Sequence, residues 1–425
     1  MKFIAFIFSA FLAVPAFAQQ TFIQCGRLID GKSSAVQTEM TIVVESNKII
    51  DVRKGYHSGT GKDKLIDMKN QTVMPGFIDS HVHLSMETNK NQFLEKFTLN
   101  EDEGALKAVK YCERTLMAGF TTVRDLGGTI AISLRNAINQ GDIKGPRIIA
   151  AGKSIATTGG HADPSNGFGK AIMGDPEAKE GVINGPDEAR KAVRQRYKES
   201  SDVIKITATG GVLSNAKDGA GAQFTKDEIE AVVSTAKDYG FRVAAHAHGA
   251  EGMKRAIRAG VSSIEHGTFM DDEVIDLMKQ NGTYYVPTIT AGKSVADSAK
   301  IPGYYQPLVV PKAIATGPKI QSTFAKAYKE GVKIAFGTDA GVFAHGKNYK
   351  EFEYMTEAGM PAMEAIKSAT VNAADLLGIA DRLGSIEKGK IADIIAVSGD
   401  PLKNIQALGA MNFVMKEGVV YKLGF

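Results

Sequence analysis

The chain has 425 residues, 44% of them hydrophobic and 23% charged, an ordinary globular composition with material for one large or two unequal domains. A formal net charge of +4, with no block of lysine or arginine, excludes the basic arm of a nucleic-acid or membrane-surface binder, so no nucleic-acid partner is expected.

The N-terminus, MKFIAFIFSAFLAVPAFAQQ, sets Lys2 ahead of an apolar stretch over residues 3–14, followed by Ala16-Phe17-Ala18. That pattern predicts a secretory signal peptide, residues 1–18, cleaved after Ala18. The stretch is shorter than the roughly 20 apolar residues of a membrane span. The expected product is secreted or periplasmic, with no membrane anchor after cleavage. Cys25 and Cys112 lie in unlike settings, without metal-type spacing, and are predicted to be free core cysteines.

Residues 19–74 alternate as strands, as in TFIQCGRLID and MTIVVESNKIIDVRKG, and residues 381–425 do the same. The two ends are expected to form one small β-sandwich domain. Between them, over residues 75–380, eight apolar strands alternate with amphipathic helices: GFIDSHVHL, FTTVRDLGG, PRIIAAGKS, DVIKITATGG, FRVAAHAHG, SSIEHGT, TYYVPTI and KIAFGTDAG. Helical segments such as AEGMKRAIRAG and DDEVIDLMKQNG close on glycine. The fold class is therefore α/β, a (β/α)8 TIM-type barrel whose active site lies at the strand C-terminal ends. An open doubly wound sheet is the competing arrangement. Two long post-strand segments, 157–186 and 291–318, read as loops that wall the pocket.

Of eight histidines only His57 falls in the N-terminal β unit; His81, His83, His161, His246, His248, His266 and His345 follow or end barrel strands. Residues i and i+2 of a strand share a face, so His81 and His83 point together, a good chelate for a divalent transition metal. Two hydrogen-bonded core histidines are the bland reading of a lone pair, and it weakens because ligand-type residues recur on other strands. Lys205 sits inside the apolar run DVIKITATGG, where burial lowers an ammonium's pKa and leaves an amine able to take up CO2 as a carbamate. A buried salt bridge is its alternative. Asp339 ends the last strand, as an N-cap or as a metal ligand and proton shuttle.

The set GFIDSHVHL, Lys205 in IKITATGG, AAHAHG, EHGT and GTDAG, with the C-terminal KGKIADIIAVSGDPL, resembles the amidohydrolase superfamily over nearly the whole mature chain. Within it the similarity is to the imidazolonepropionase-like branch that holds the Xaa-Pro-type dipeptidases and ochratoxinase. The resemblance implies two divalent metal ions, zinc, with His81, His83 and Asp339 on one and His246 and His266 on the other. It also implies a CO2-derived carbamate on Lys205 and a hydroxide bridging the pair. His246 and His248 share parity, and the resemblance favours His246 as ligand, leaving His248 to the substrate or the wall. His161, in TTGGHAD, matches a position beside the substrate, with a catalytic or substrate-binding role. His345 reads as a solvent-facing loop residue, and Tyr284 and Tyr285 as barrel packing.

The implied activity is hydrolysis of an amide or peptide bond beside a terminal carboxylate, in a dipeptide, an N-acyl amino acid or an ochratoxin-like amide. The implied partner is thus a small molecule or peptide, with homo-oligomers possible in barrels of this type. A lactonase or cyclic-amide hydrolase uses the same ligands. A deaminase would want a glutamate where Gly249 stands, and a non-catalytic secreted metal-binding protein would be expected to have lost ligands.

Overall fold

A computed structural model describes residues 19–217 and 219–424. The signal peptide expected at residues 1–18 lies outside the described residues.

The strands of the two chain ends meet in one seven-stranded mixed sheet. Its order is Val419–Leu423, Met411–Lys416, Ile394–Ser398, Lys64–Pro75, Gln20–Leu28, Gln37–Glu45, Lys48–Lys54. Lys64–Pro75, 12 residues long, is the splice. It runs parallel to Gln20–Leu28 and antiparallel to Ile394–Ser398, so the C-terminal strands join without a gap. The ends are thus continuously hydrogen-bonded in a single sheet, where two facing sheets were expected. A bulge at Cys25/Arg27 lets the first pairing pass: a side chain at Gly26 would meet the Lys69 carbonyl 1.8 Å away. Ile23, Leu28, Ile42, Val73, Ile394 and Phe413 pack together on this sheet. Both cysteines are free and buried, as the sequence predicts.

The intervening strands are parallel and buried along nearly their whole length, as expected of strands covered on both faces. Phe77–Val82, Phe120–Asp125 and Arg147–Ala150 form one sheet; Ile204–Thr207, Val243–Gly249, Ser263–Phe269 and Tyr284–Val286 form another. Single residues bridge the two. Ile155 N donates to Lys205 O (2.8 Å) and Thr207 N donates to Ile155 O (3.0 Å). On the far side Tyr285 N donates to Lys333 O (2.8 Å), while Ser80 N donates to Phe336 O (2.9 Å) and His83 N to Ala340 O (2.7 Å). The hydrogen bonds therefore run in a circuit back to the first strand. KIAFGTDAG, expected as the eighth strand, is not a regular strand and joins its neighbours by isolated bridges.

Helices between the staves start and stop where local chemistry directs. Lys226–Asp238 opens with a capping box from Thr225 and Glu228. Ala250–Ala259 and Asp272–Asn281 end on left-handed Gly260 and Gly282. One expectation fails: 291–318 is not a loop. Most of it belongs to two helices, Ile289–Ser298 and Val309–Lys329, with Pro318 inside the second and residues 299–308 connecting them. Its glycines mark close helix crossing, since a Cβ at Gly317 would lie 2.4 Å from the Ala296 Cβ and 2.8 Å from the Gly292 carbonyl. The segment does wall a cavity, as expected. The 157–186 segment is irregular apart from the short pair Ala156–Thr157 with Val182–Ile183 and one turn of helix, Lys170–Met173. Among the described residues no helix is long and apolar enough to cross a membrane.

Candidate active site

At the C-terminal ends of the parallel strands a cavity of about 250 Å3 is lined by His81, His83, His161, Lys205, His246, His248, His266 and Asp339. Each of these was singled out from the sequence; His81 and His83 share one strand end, His246 and His248 another, His161 comes from a loop, and the rest come from further strand ends. His345 does not join them. It is buried rather than solvent-facing, stacked on Tyr111 at 5.1 Å with Nε2 donating to Met86 O (3.0 Å).

One ligand-type atom from each of His81, His83 and Asp339 lies within 4.8 Å of the other two. Asp339 Oδ1 stands 3.5 Å from His81 Nε2 and 3.2 Å from His83 Nε2. It is buried without a hydrogen-bond partner, as are His161 Nδ1 and the hydroxyl of Thr207. Unpaired buried polar atoms are costly, and three in one cavity fit a site built for a polar or cationic occupant. The donors suit a divalent cation: imidazole and carboxylate, with every ring but His83 held below its ordinary pKa.

The rings are kept neutral by burial. It pushes His81, with help from the Lys205 charge, down to about 4, and holds His246 and His266 well below the ordinary value, where neighbouring imidazoles add to the effect. His248 falls to about 4 and His161 to about 3 for the same reason. His83 goes the other way. Burial would lower it, but the Asp339 carboxylate 3.2 Å away and the Asp125 charge outweigh that. Asp339 stays below the usual carboxylate value because His81 and His83 overcome its desolvation. Burial brings Lys205 down to about 8, against the pull of Glu265 and Asp339.

Ring orientation is set from behind. His81 Nδ1–H donates to Glu265 Oε2 (2.8 Å), which fixes the tautomer and turns Nε2 to the cavity. Glu265 is fully buried and also accepts from Arg124 Nη2 (2.8 Å) and from the Ser263 hydroxyl. Nδ1 of His266 is hydrogen-bonded to Thr288 Oγ1 and Nδ1 of His248 to Thr268 Oγ1, each at 2.8 Å. His246 Nε2–H donates to Gly210 O (3.1 Å), leaving Nδ1 with its lone pair. His246 stacks on His161 with ring centroids 4.3 Å apart, and stands 4.7 Å from His266. The Tyr285 hydroxyl donates to His266 O (2.8 Å), while Tyr284 binds Asp375, so one tyrosine of the expected packing pair also positions a site residue.

His266, Thr288 and Asp339 have φ of 71°, 54° and 60°. A non-glycine residue in that region costs about 1–3 kcal/mol and persists where surroundings over-determine it. At His266 the left-handed backbone breaks strand alternation, so that Glu265 and His266, adjacent in sequence, both face inward. Glu265, Arg124 and Thr207 are the residues that sequence reasoning missed. A charged residue inside the apolar run TTVRDL carries the same signal as Lys205 in its own strand.

The chain as a whole is similar to known proteins. Residues 72–423 match the amidohydrolase family, and the chain belongs to it. It is 30% identical to the ochratoxinase of Aspergillus niger over 440 residues, covering 95% of this chain and 87% of that one. Among solved structures, a Xaa-Pro dipeptidase with methionine bound in its active site is 55% identical with TM-score 0.92, covering 95% of this chain and 100% of that one. A prolidase complexed with N-methylphosphonate-L-proline is 30% identical with TM-score 0.87, at the same coverage.

Proposed function

We propose that this chain is a binuclear metal-dependent amidohydrolase cleaving an amide or peptide bond beside a terminal carboxylate, in a dipeptide, an N-acyl amino acid or an ochratoxin-like amide. The observation that carries the reading is the convergence of ligand-type side chains on one cavity whose buried polar atoms lack partners. On this reading His81, His83 and Asp339 would hold one cation and His246 and His266 the other, with Lys205, as a carbamate, a further ligand. Zinc suits imidazole-rich sets of this kind. The parallel strands form a closed (β/α)8 barrel over residues 75–380, a reading the hydrogen-bond circuit supports, with the terminal sheet built from 19–74 and 381–425. Residues 1–18 direct the protein to the periplasm or the medium.

Bound divalent cations supply Lewis-acid polarisation of the scissile carbonyl and acidify a water. Asp339, kept ionised by the imidazoles beside it, takes the proton of the attacking water and passes it to the leaving nitrogen. His161 and His248, uncharged and on the cavity wall, orient the substrate, and Val212, Val295 and Ile320 keep the opposite wall dry. The relatives point to the same bond class: a Xaa-Pro dipeptidase, a prolidase with a proline phosphonate, and an ochratoxinase. The test is a panel of dipeptides, N-acyl amino acids and lactones offered to the zinc-loaded protein. Carboxylate-bearing amides are expected to have the highest kcat/KM; preference for lactones over all of them would overturn the substrate class.

A further inference from the structure

Outside the cavity that holds the imidazoles lies a second chamber of about 530 Å3. The two meet across Met86, His161, Ala162 and Leu213, which line both. They differ in charge. Among the described residues Lys205 is the only lysine or arginine lining the inner cavity, whereas the outer chamber carries Lys90 and Lys96 against one acid, Asp163.

Asp163 is committed to its own loop, accepting from Gly159 N (2.7 Å), Ser165 N (2.8 Å) and the Ser165 hydroxyl (2.6 Å). The acids flanking the two lysines are engaged elsewhere: Glu87 with Arg114, and Glu95 with Lys107 (3.2 Å) and Asn89 (3.1 Å). Among the described residues neither Lys90 nor Lys96 has a carboxylate partner. Lys96 Nζ instead lies 5.5 Å from the Phe168 ring centroid, and burial lowers its pKa. Phe168 packs on Phe93 at 5.9 Å and on Phe97 at 5.0 Å. Both lysines are exposed at the chamber, and an ammonium beside an aromatic ring with no carboxylate partner can pair with an anion that a ligand brings. Phe93, Met86 and Leu213 line the chamber and supply its apolar surface.

We propose that the outer chamber is a subsite for the acyl half of the substrate, selecting acyl groups with an apolar body that ends in a negative charge received by Lys90 and Lys96. The inference rests on the amide-hydrolase reading and names the half of the substrate that reading leaves open. A dipeptide offers an α-ammonium on its acyl side, which the two lysines repel. An N-acyl amino acid with an acidic acyl chain offers a carboxylate.

The matched probes are N-glutaryl and N-pentanoyl derivatives of proline and of phenylalanine, equal in acyl length and differing in the terminal carboxylate. In the zinc-loaded wild type the glutaryl compounds are expected to have about tenfold higher kcat/KM, the order of one charge-assisted hydrogen bond, with the ratio shrinking at high salt. In a Lys90→Met, Lys96→Met double variant the ratio is expected to fall to near one. Binding is read separately, by calorimetry on Asp339→Asn protein, where no turnover is expected and the glutaryl compounds are expected to bind about tenfold tighter. Equal kcat/KM and equal affinity for the two acyl groups, or a ratio the double variant leaves unchanged, would overturn the subsite. Discrimination in binding without hydrolysis of either compound by the wild type would sink the amide-hydrolase reading and uphold the subsite. Hydrolysis of both without discrimination would do the reverse.

Discussion

Replacing Glu265 with glutamine removes one charge and almost no volume, at a side chain that touches no cavity surface. In the native chain that carboxylate accepts from His81 Nδ1 and Arg124 Nη2, both at 2.8 Å, and those partners pull its pKa, against its own desolvation, down to about 2. Set against an ordinary value of 4.5, and at about 1.4 kcal/mol per pH unit, the carboxylate form is favoured in the fold by about 3 kcal/mol. Removing one partner of a buried pair costs about 3–5 kcal/mol, because the Arg124 guanidinium is left buried and unbalanced. Glu265→Gln is therefore expected to lose about 3 kcal/mol at pH 7 in denaturant titrations. The sign with pH follows from a depressed folded pKa: the Glu265 contribution is present above 4.5 and is lost as pH falls toward 2, so the gap between variant and wild type should close over that window. Because the same carboxylate fixes the His81 tautomer, chelator competition should also show metal affinity weakened by about 10–100-fold. A variant within about 0.5 kcal/mol of wild type, the scale of an ordinary surface substitution, and unchanged in metal affinity would refute the reasoning.

Lys205→Ala is expected to lose bound metal and activity together, with partial rescue of both by small carboxylic acids such as propionate; full activity without bound metal would contradict the carbamate. Gly211→Ala places a Cβ 2.2 Å from the His161 ring, so kcat/KM should drop at least about tenfold while Tm changes little; unaltered kinetics would remove His161 from the substrate's path. For metal-free protein, His81, His161, His246, His248 and His266 all have folded pKa values below the ordinary 6.5. The unfolded chain then binds more protons below pH 6.5, and stability present above that value is lost as pH falls. His83, raised, opposes them, as do the buried carboxyls of Asp79 and Asp125, pushed up to about 6, and of Glu351, pushed up to about 8; their stability is present at low pH and lost as pH rises through the folded values, but the five imidazoles outnumber them. Denaturation midpoints should decline steadily from pH 7 to 5, and a flat profile would mean that the imidazoles are not held neutral.

Much of the site is legible in the sequence because strand alternation is rigid: His81 and His83, or His246 and His248, point together wherever the strand is regular. The reading stops where regularity stops. Positive φ at His266 lets Glu265 face inward beside it, and period-two reasoning cannot anticipate that. Arg124 was recoverable, since the argument applied to Lys205 applies equally to a guanidinium in an apolar strand. Thr207 lies two residues past Lys205, on the same face, but a hydroxyl carries no sequence signal until its lack of a partner is visible. The helices over Ile289–Ser298 and Val309–Lys329 were hidden because Gly292, Gly317 and Pro318 read as breakers, whereas two of them serve a helix crossing. The terminal strands were clear as strands; that Lys64–Pro75 is long enough to join them into one sheet depends on register.

The account turns on cations held between strand ends, and element-resolved anomalous diffraction from crystals of catalytically active protein tests it most directly. Two zinc peaks per chain are expected, one against His81, His83 and Asp339 and the other against His246 and His266, with carboxylated Lys205 between them. Active crystals with no anomalous peak in this cavity, or with peaks bound only by other residues, would contradict it.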